Sequence, residues 1–372
     1  MSKKVPSLHP FFGETTILFP VLLLVGMGIV MVYSASSSLA VSRFGDNLFY
    51  MQRQAFFALL SLGVMFTAAS FPYRAFQVFA YFFMGLAVVL LVAVQVPFLG
   101  HAAGGAHRWI TFGGFTFQPS EFTKLALVLF LAYSLSKKQE MIKDFSVGFM
   151  PHVILLVVLS ILILMQPDFG TVMIIGCITW GMMFVAGVRI IHLLLPIPFL
   201  APVAYFLVYR VDYRMDRILA FMNPWDDPLD KGYQITHSLK AFGSGGIFGK
   251  GIGLGMQKLH YLPEPHTDFI LSVIGEELGL VGVLTTLVLY SIVLWRGAVI
   301  ARNAPDLFGS FVATGVVITL GLQVAINAGV AMGVLPTKGL TLPFLSYGGT
   351  SLIVNMAFMG ILMNIGSKVE NG

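Results

Sequence analysis

The sequence is poor in cysteine and poor in charge. Its one cysteine is Cys177, set inside an apolar run, so neither a disulfide framework nor a cysteine metal site can be built. Charged residues make up 10% of the chain, against about 25% in a soluble domain. A water-facing surface cannot be covered with so few. That shortage excludes the soluble globular, disordered, collagenous and coiled-coil classes. The eight histidines are scattered, and the zinc motif H-E-x-x-H does not occur. Strict alternation of apolar and polar residues is missing too, which excludes an outer-membrane barrel.

What is there is apolar. Hydrophobic residues are 57% of the 372, with a mean hydropathy of +0.87. A membrane helix needs about 20 mostly apolar residues. About ten such runs can be marked, near 15–34, 54–70, 76–96, 119–135, 148–165, 169–187, 190–208, 268–295, 308–334 and 344–365. Pro196, Pro198 and Pro202 should kink or break the seventh. The first run follows Lys3 and Lys4 but is too long for the core of a signal peptide, so it reads as an uncleaved anchor. The expected fold is all-α and integral to the membrane, with about ten transmembrane helices in a single polytopic domain over 1–372.

Lysine and arginine set the expected orientation. With the N-terminus inside, ten of them fall on the inner face and four in short outer loops. That gives N-in and C-in. It also accounts for the net charge of +5 without calling on nucleic acid. Residues 209–267 then form a large extracytoplasmic loop between helices 7 and 8. Within it, Ile235, Leu239 and Phe242 share one helical face, suited to lying in the lipid interface.

An ionisable residue in or at the end of a span is costly, so it is a functional candidate by default. Glu121 and Lys124 stand three residues apart near the outer end of the fourth span. Asp168 opens the sixth span and Asp268 the eighth. All sit at one depth on the outer side, which suggests a polar cavity opening outward. Blander roles compete with this: an ion pair for Glu121 and Lys124, helix caps for the two aspartates, a plain surface residue for His266. Glu276 and Glu277, two turns deeper, are expected to pair with basic or polar groups for structure. Arg53 and Arg108 are outer arginines able to grip a pyrophosphate. The glycine-rich stretch 243–255 fails as a phosphate-binding P-loop, because Ser244 stands where glycine is required and Gly251 follows Lys250. Tight turns suit it better.

Several motifs coincide with one family. They include Arg108-Trp109-Ile110, Gln118-Pro119-Ser120-Glu121-Phe122-Thr123-Lys124 and Gln166-Pro167-Asp168-Phe169-Gly170-Thr171. Further on come Pro265-His266-Thr267-Asp268-Phe269, Gly275-Glu276-Glu277-Leu278-Gly279 and Pro336-Thr337-Lys338-Gly339-Leu340-Thr341-Leu342-Pro343. In order and from end to end, the chain resembles the SEDS proteins (shape, elongation, division and sporulation). The stretch from Pro336 resembles the division branch more than the elongation branch.

The resemblance implies a glycosyltransferase that polymerises lipid II, an undecaprenyl-pyrophosphate disaccharide-pentapeptide, during septal wall synthesis in the bacterial cytoplasmic membrane. It places the essential carboxylate at Asp268 and further functional residues at Glu121, Lys124 and Asp168. The implied partner is a class B penicillin-binding protein, a single-span transpeptidase, with other division proteins. The residues suit this chemistry. A carboxylate can take the proton of an attacking sugar hydroxyl, and a departing pyrophosphate needs positive charge. Arg108, Lys124, Arg53, Lys338 or a divalent cation such as Mg²⁺ or Mn²⁺ could supply it. His266 stands beside the catalytic candidate. A lipid II flippase is the rival reading, but its charges should lie near the midplane and show repeat symmetry. A scaffold for the transpeptidase leaves the outer charges unexplained.

Overall fold

A computed structural model describes residues 14–96, 100–103, 106–112, 115–199, 202, 205, 212–230, 232–258 and 262–369. Long apolar stretches without glycine or proline clusters become helices, since only a helix satisfies its own backbone in lipid. The first are α1 (Thr15–Phe44), α2 (Phe49–Ser70) and the pair α3 (Tyr73–Val78) and α4 (Ala80–Ala93). The third expected span is therefore split at Phe79. Three short strands follow, β1 (Gly100–Ala103), β2 (Ala106–Phe112) and β3 (Phe115–Phe117), paired antiparallel in sequence order. Nothing in the apolar pattern announced this small sheet.

Next come α5 (Pro119–Lys137), α6 (Met150–Leu164, entered through a π-helical turn from Phe145), α7 (Phe169–Ala186) and the short α8 (Ile190–Leu194). Most of the expected seventh span beyond residue 199 lies outside the described residues. Then follow α9 (Asp212–Met222), α10 (Tyr233–Gly245), α11 (Ile270–Asn303), α12 (Leu307–Ala331) and α13 (Gly349–Val369). Among the described residues, seven helices are long and apolar enough to cross a membrane: α1, α2, α6 with its π-helical turn, α7, α11, α12 and α13. The chain is a multi-pass membrane protein.

The last helix lies at the centre. In its most apolar stretch 83% of residues are buried, against 33% for α2 and α11. Its main neighbour is α2, where Gly360 lets the two backbones touch: a Cβ there would stand 2.3 Å from the Met65 carbonyl oxygen. At one end of the bundle Glu14 accepts two hydrogen bonds from Arg296, at 2.9 and 3.0 Å. The same carboxylate fills the space where a side chain on Gly366 would go. Arg74 and Asp306 pair at 2.9 Å at the foot of α3 and head of α12. The residues of functional interest gather at the opposite ends of α7, α11 and α12.

One expectation is corrected. The apolar face of α10 does not meet lipid. Ile235 is buried, and Phe242 fits the gap left by Gly275 on α11. Ile235 and Leu239 lie over Gly333, just past α12. Protein covers this face because small residues on its neighbours leave room for it.

Candidate functional site

Two chain segments meet around Asp268. One is the turn leading into α11, since Asp268 stands two residues before that helix begins. The other is the loop 336–343 between α12 and α13. Asn327, near the end of α12, clamps them together. Its amide donates to the Asp268 backbone oxygen at 2.9 Å and to the Leu340 backbone oxygen at 2.7 Å. Gly339 faces the Asp268 carboxylate so closely that a Cβ there would stand 3.2 Å from Oδ2. Leu340 in turn packs on Gly170 at the head of α7.

The carboxylate is half-buried yet ringed by protein. Burial, helped by Glu264, pushes its pKa up to about 7; Arg217, Arg108 and a hydrogen bond with Thr267 pull the other way. A carboxyl that titrates near neutrality suits proton transfer.

Three cations frame this region. Arg108, on β2, donates through Nε to the Gln166 carbonyl oxygen at 2.9 Å and through Nη2 to that of Pro167 at 2.5 Å. It thereby holds the turn that precedes Asp168. Arg217, on α9, donates to the Thr337 carbonyl oxygen at 3.1 Å. Lys338 lies 5.0 Å above the Phe169 ring, with its amine against the Met173 sulfur. Burial lowers its pKa, with Arg217 adding to the effect and Asp168 opposing it. Apolar burial of a lysine beside an arginine leaves its charge poorly compensated, which favours an incoming anion.

The other candidates divide. Asp168 caps α7: Oδ1 accepts from the Thr171 amide at 3.0 Å and Oδ2 from the Thr171 hydroxyl at 2.7 Å. Glu121 and Lys124 form a buried ion pair of 2.8 Å on the first turns of α5, which packs on α12. The second oxygen of Glu121 has no hydrogen-bond partner among the described residues. His266 is buried between Tyr50 and Tyr347, with ring centroids 4.7 and 5.6 Å away. Burial lowers its pKa to about 4, with Arg43 acting in the same direction, so the ring is neutral at pH 7 and carries no charge to a phosphate. Arg53 covers the Phe49 ring at 4.5 Å and belongs to this aromatic group.

The carboxylates expected to leave room for a divalent cation are otherwise engaged: Asp168 with Thr171, Glu121 with Lys124. Among the described residues no three His, Cys, Asp or Glu side chains come together as a metal site. The protein alone therefore supplies no closed cage for Mg²⁺ or Mn²⁺ among the described residues; an ion here would draw most of its ligands from water and substrate phosphate oxygens.

Reading for ionisable groups missed Asn327 and Gly339. The signal for Asn327 was a second side-chain amide, four residues after Gln323, in a mostly apolar helix. Arg217, within the long loop 209–267, was not singled out either.

A helical bundle with a carboxyl and three cations converging where α7, α11 and α12 end on one side defines a polytopic membrane protein with a polar site at one face. Comparison with known proteins gives the family. The chain belongs to the cell cycle proteins of the FtsW, RodA and SpoVE family, whose model matches residues 14–371, in agreement with the motifs. It is 46% identical over 357 residues to a probable peptidoglycan glycosyltransferase FtsW of Geobacter metallireducens, covering 96% of this chain and 95% of that one. It is 45% identical over 350 residues to the stage V sporulation protein E of Bacillus subtilis, covering 92% and 94%. Among solved structures it is similar to the rod shape determining protein RodA of Thermus thermophilus, with a TM-score of 0.70 and 30% identity over 94% of this chain and 95% of that one. A chain from a peptidoglycan synthase complex, described as coordinating polymerization and crosslinking, gives a TM-score of 0.78 and 30% identity over 96% and 98%.

Proposed function

We propose that this chain is a peptidoglycan glycosyltransferase that polymerises lipid II into glycan strands for septal wall synthesis, with Asp268 as general base. Full-length similarity to proteins bearing that activity's name supports the reaction. The observation that carries the residue assignment is the Asp268 carboxyl, near neutral in pKa and framed by Arg108, Arg217 and Lys338. In the step, the acceptor sugar hydroxyl attacks the anomeric carbon of the donor. Its proton passes to the Asp268 carboxylate as the new C–O bond forms. The bond from that carbon to the pyrophosphate oxygen breaks with inversion, and the cations hold the charge that develops there. Glu121 and Lys124 shape the cavity wall and do not carry the proton.

The leaving group stays in the membrane, so its polyprenyl tail needs an apolar path. A cleft of about 710 Å³ between α2, α3 and α4, lined by Leu59, Val64, Phe71, Phe76, Phe83 and Leu125, offers one.

On this reading the protein sits in the cytoplasmic membrane with Asp268 on the outer side, about ten spans, both termini inside and 209–267 as the large outer loop of one domain. Its partner is a class B penicillin-binding protein, alongside other division proteins. We place that partner's single helix on the outer faces of α11 and α12, where a Cβ on Gly321 of α12 would meet only the Leu294 side chain of α11 and Ala325 is exposed. The test of the reaction is purified protein with lipid II in detergent, where two membrane sides no longer exist. Glycan chains made by the native protein but not by Asp268→Asn support the assignment. No chains from native protein with its partner present would return the flippase reading.

A further inference from the structure

The glycine-rich loop 246–258 packs on a break in α11. Gly279 leaves the helix with φ 67° and ψ −163°, and the break releases backbone groups on both sides. The loop takes them up. The amides of Leu280 and Val281 donate to the carbonyl oxygens of Gly246 and Ile247 at 2.9 and 3.1 Å. In return the amides of Lys250 and Gly251 donate to those of Glu276 and Glu277, each at 3.0 Å. Contact is close enough that a Cβ on Gly249 would stand 2.2 Å from the Glu277 carbonyl oxygen.

The loop's remaining polarity also points inward. Glu276 accepts from Lys250 at 2.9 Å and from the amides of Met256 and Gln257 at 2.9 and 3.1 Å. Glu277 accepts from Lys258 at 2.6 Å, from Ser34 at 2.7 Å and from the Gly253 amide at 3.0 Å. Apart from Lys250, which is partly exposed while paired with Glu276, the large side chains that turn outward are apolar: Phe248 is 83% exposed, Leu254 67% and Ile252 57%. A loop built to face water has no need to satisfy its amides internally, whereas one that touches hydrocarbon must.

The depth of the loop follows from α11. Arg296 is paired with Glu14, which lies just before the first span, so it marks one bilayer boundary. About 30 Å of hydrocarbon takes about 20 residues at about 1.5 Å each, and counting back from Arg296 reaches Glu276. The break and its loop therefore lie at the opposite boundary, on the side of Asp268. Below them Leu280, Leu284 and Val288, spaced by four and about half exposed, form the lipid face of the helix.

We propose that the loop 246–258 is a membrane-inserted wedge, with Phe248, Ile252 and Leu254 seated among the headgroups and upper acyl chains of the leaflet on the Asp268 side. It continues the lipid face of α11 sideways, held rigid by the paired carboxylates beneath. The proposal does not depend on the reaction assigned above.

The test uses the full chain with Cys177→Ser as background and a single environment-sensitive fluorophore on Phe248→Cys or Leu254→Cys. Lys240→Cys, exposed on α10, is the reference. Each labelled protein is placed in nanodiscs of phosphatidylglycerol and phosphatidylethanolamine. Probes at 248 and 254 should emit at shorter wavelength, be quenched by lipids spin-labelled high on the acyl chain, and be several-fold less accessible to iodide than the probe at 240. Equal iodide access at all three positions, without quenching by spin-labelled lipid, overturns the proposal. So does shielding that appears only when the transpeptidase partner is added, since the face would then be a protein interface. Positions 248 and 254 are read separately, so a failure of one variant to fold leaves the other to decide.

Discussion

Replacing Asp268 with asparagine should stabilise the protein while it abolishes the reaction, and the size of the first effect should depend on pH. The carboxyl has a pKa of about 7 in the folded protein against a reference value of 3.8. Below 3.8 both the folded and the unfolded chain hold the proton. Between the two values the unfolded chain has lost it and the folded chain keeps it, so stability falls as pH rises. Above about 7 the loss is complete. The full interval is worth about 4 kcal/mol at about 1.4 kcal/mol per pH unit. Asparagine cannot ionise and escapes this cost. Between about pH 5.5 and pH 8.5 the usable part is about 1.5 units, or about 2 kcal/mol in favour of the variant. Thermal unfolding of both proteins in the same detergent at the two pH values measures it. Polymerisation should fall at least about 100-fold in the variant, and wild-type activity should climb as pH rises through the titration. A stability gap that stays constant with pH would refute the reasoning. So would a wild type that gains on the variant as pH rises, because the carboxyl would then be stabilised in its charged form.

Lys124→Met should cost about 3–5 kcal/mol by stranding the Glu121 carboxylate, while the double change with Glu121→Gln should recover most of that. Strictly additive losses in a double-mutant cycle would show that the two residues are uncoupled. Gly339→Ala should reduce polymerisation by about tenfold or more, since a displacement well under 1 Å at a reacting group is enough for that, with expression and thermal midpoint close to wild type. Unchanged turnover would mean that the loop yields freely around Asp268. Gly321→Leu and Ala325→Leu should weaken co-purification of the transpeptidase without unfolding the isolated protein; normal binding by both would put the docking face elsewhere.

Much of the helical architecture was legible because long apolar runs have one stable form in lipid. Whether an apolar face meets lipid or protein was not legible, as α10 shows: Ile235, Leu239 and Phe242 make the same pattern in either case, and only Gly275 and Gly333 on other elements decide it. The site divides in the same way. Asp268 and the Glu121–Lys124 pair stand out because charge is rare in such a chain. The clamp formed by Asn327 does not, because its two partners are backbone carbonyl oxygens 59 and 13 residues away. That Glu276 and Glu277 pair with basic and polar groups was expected, and Lys250, Lys258 and Ser34 meet that expectation. Which groups these would be, and the loop amides that join them, leave no mark in the sequence.

The central position of α13 has a consequence for biogenesis. The helix that fills the middle of the bundle leaves the ribosome only after α1 to α12. Until it arrives, α2 lacks its main neighbour, and Glu14 lacks the glycine of α13 against which it packs. Early helices must therefore wait in the bilayer around an unfilled slot. A chain that stalls before residue 349 would present that slot to membrane proteases, so a stop codon just ahead of α13 should be as destructive as one ahead of α2.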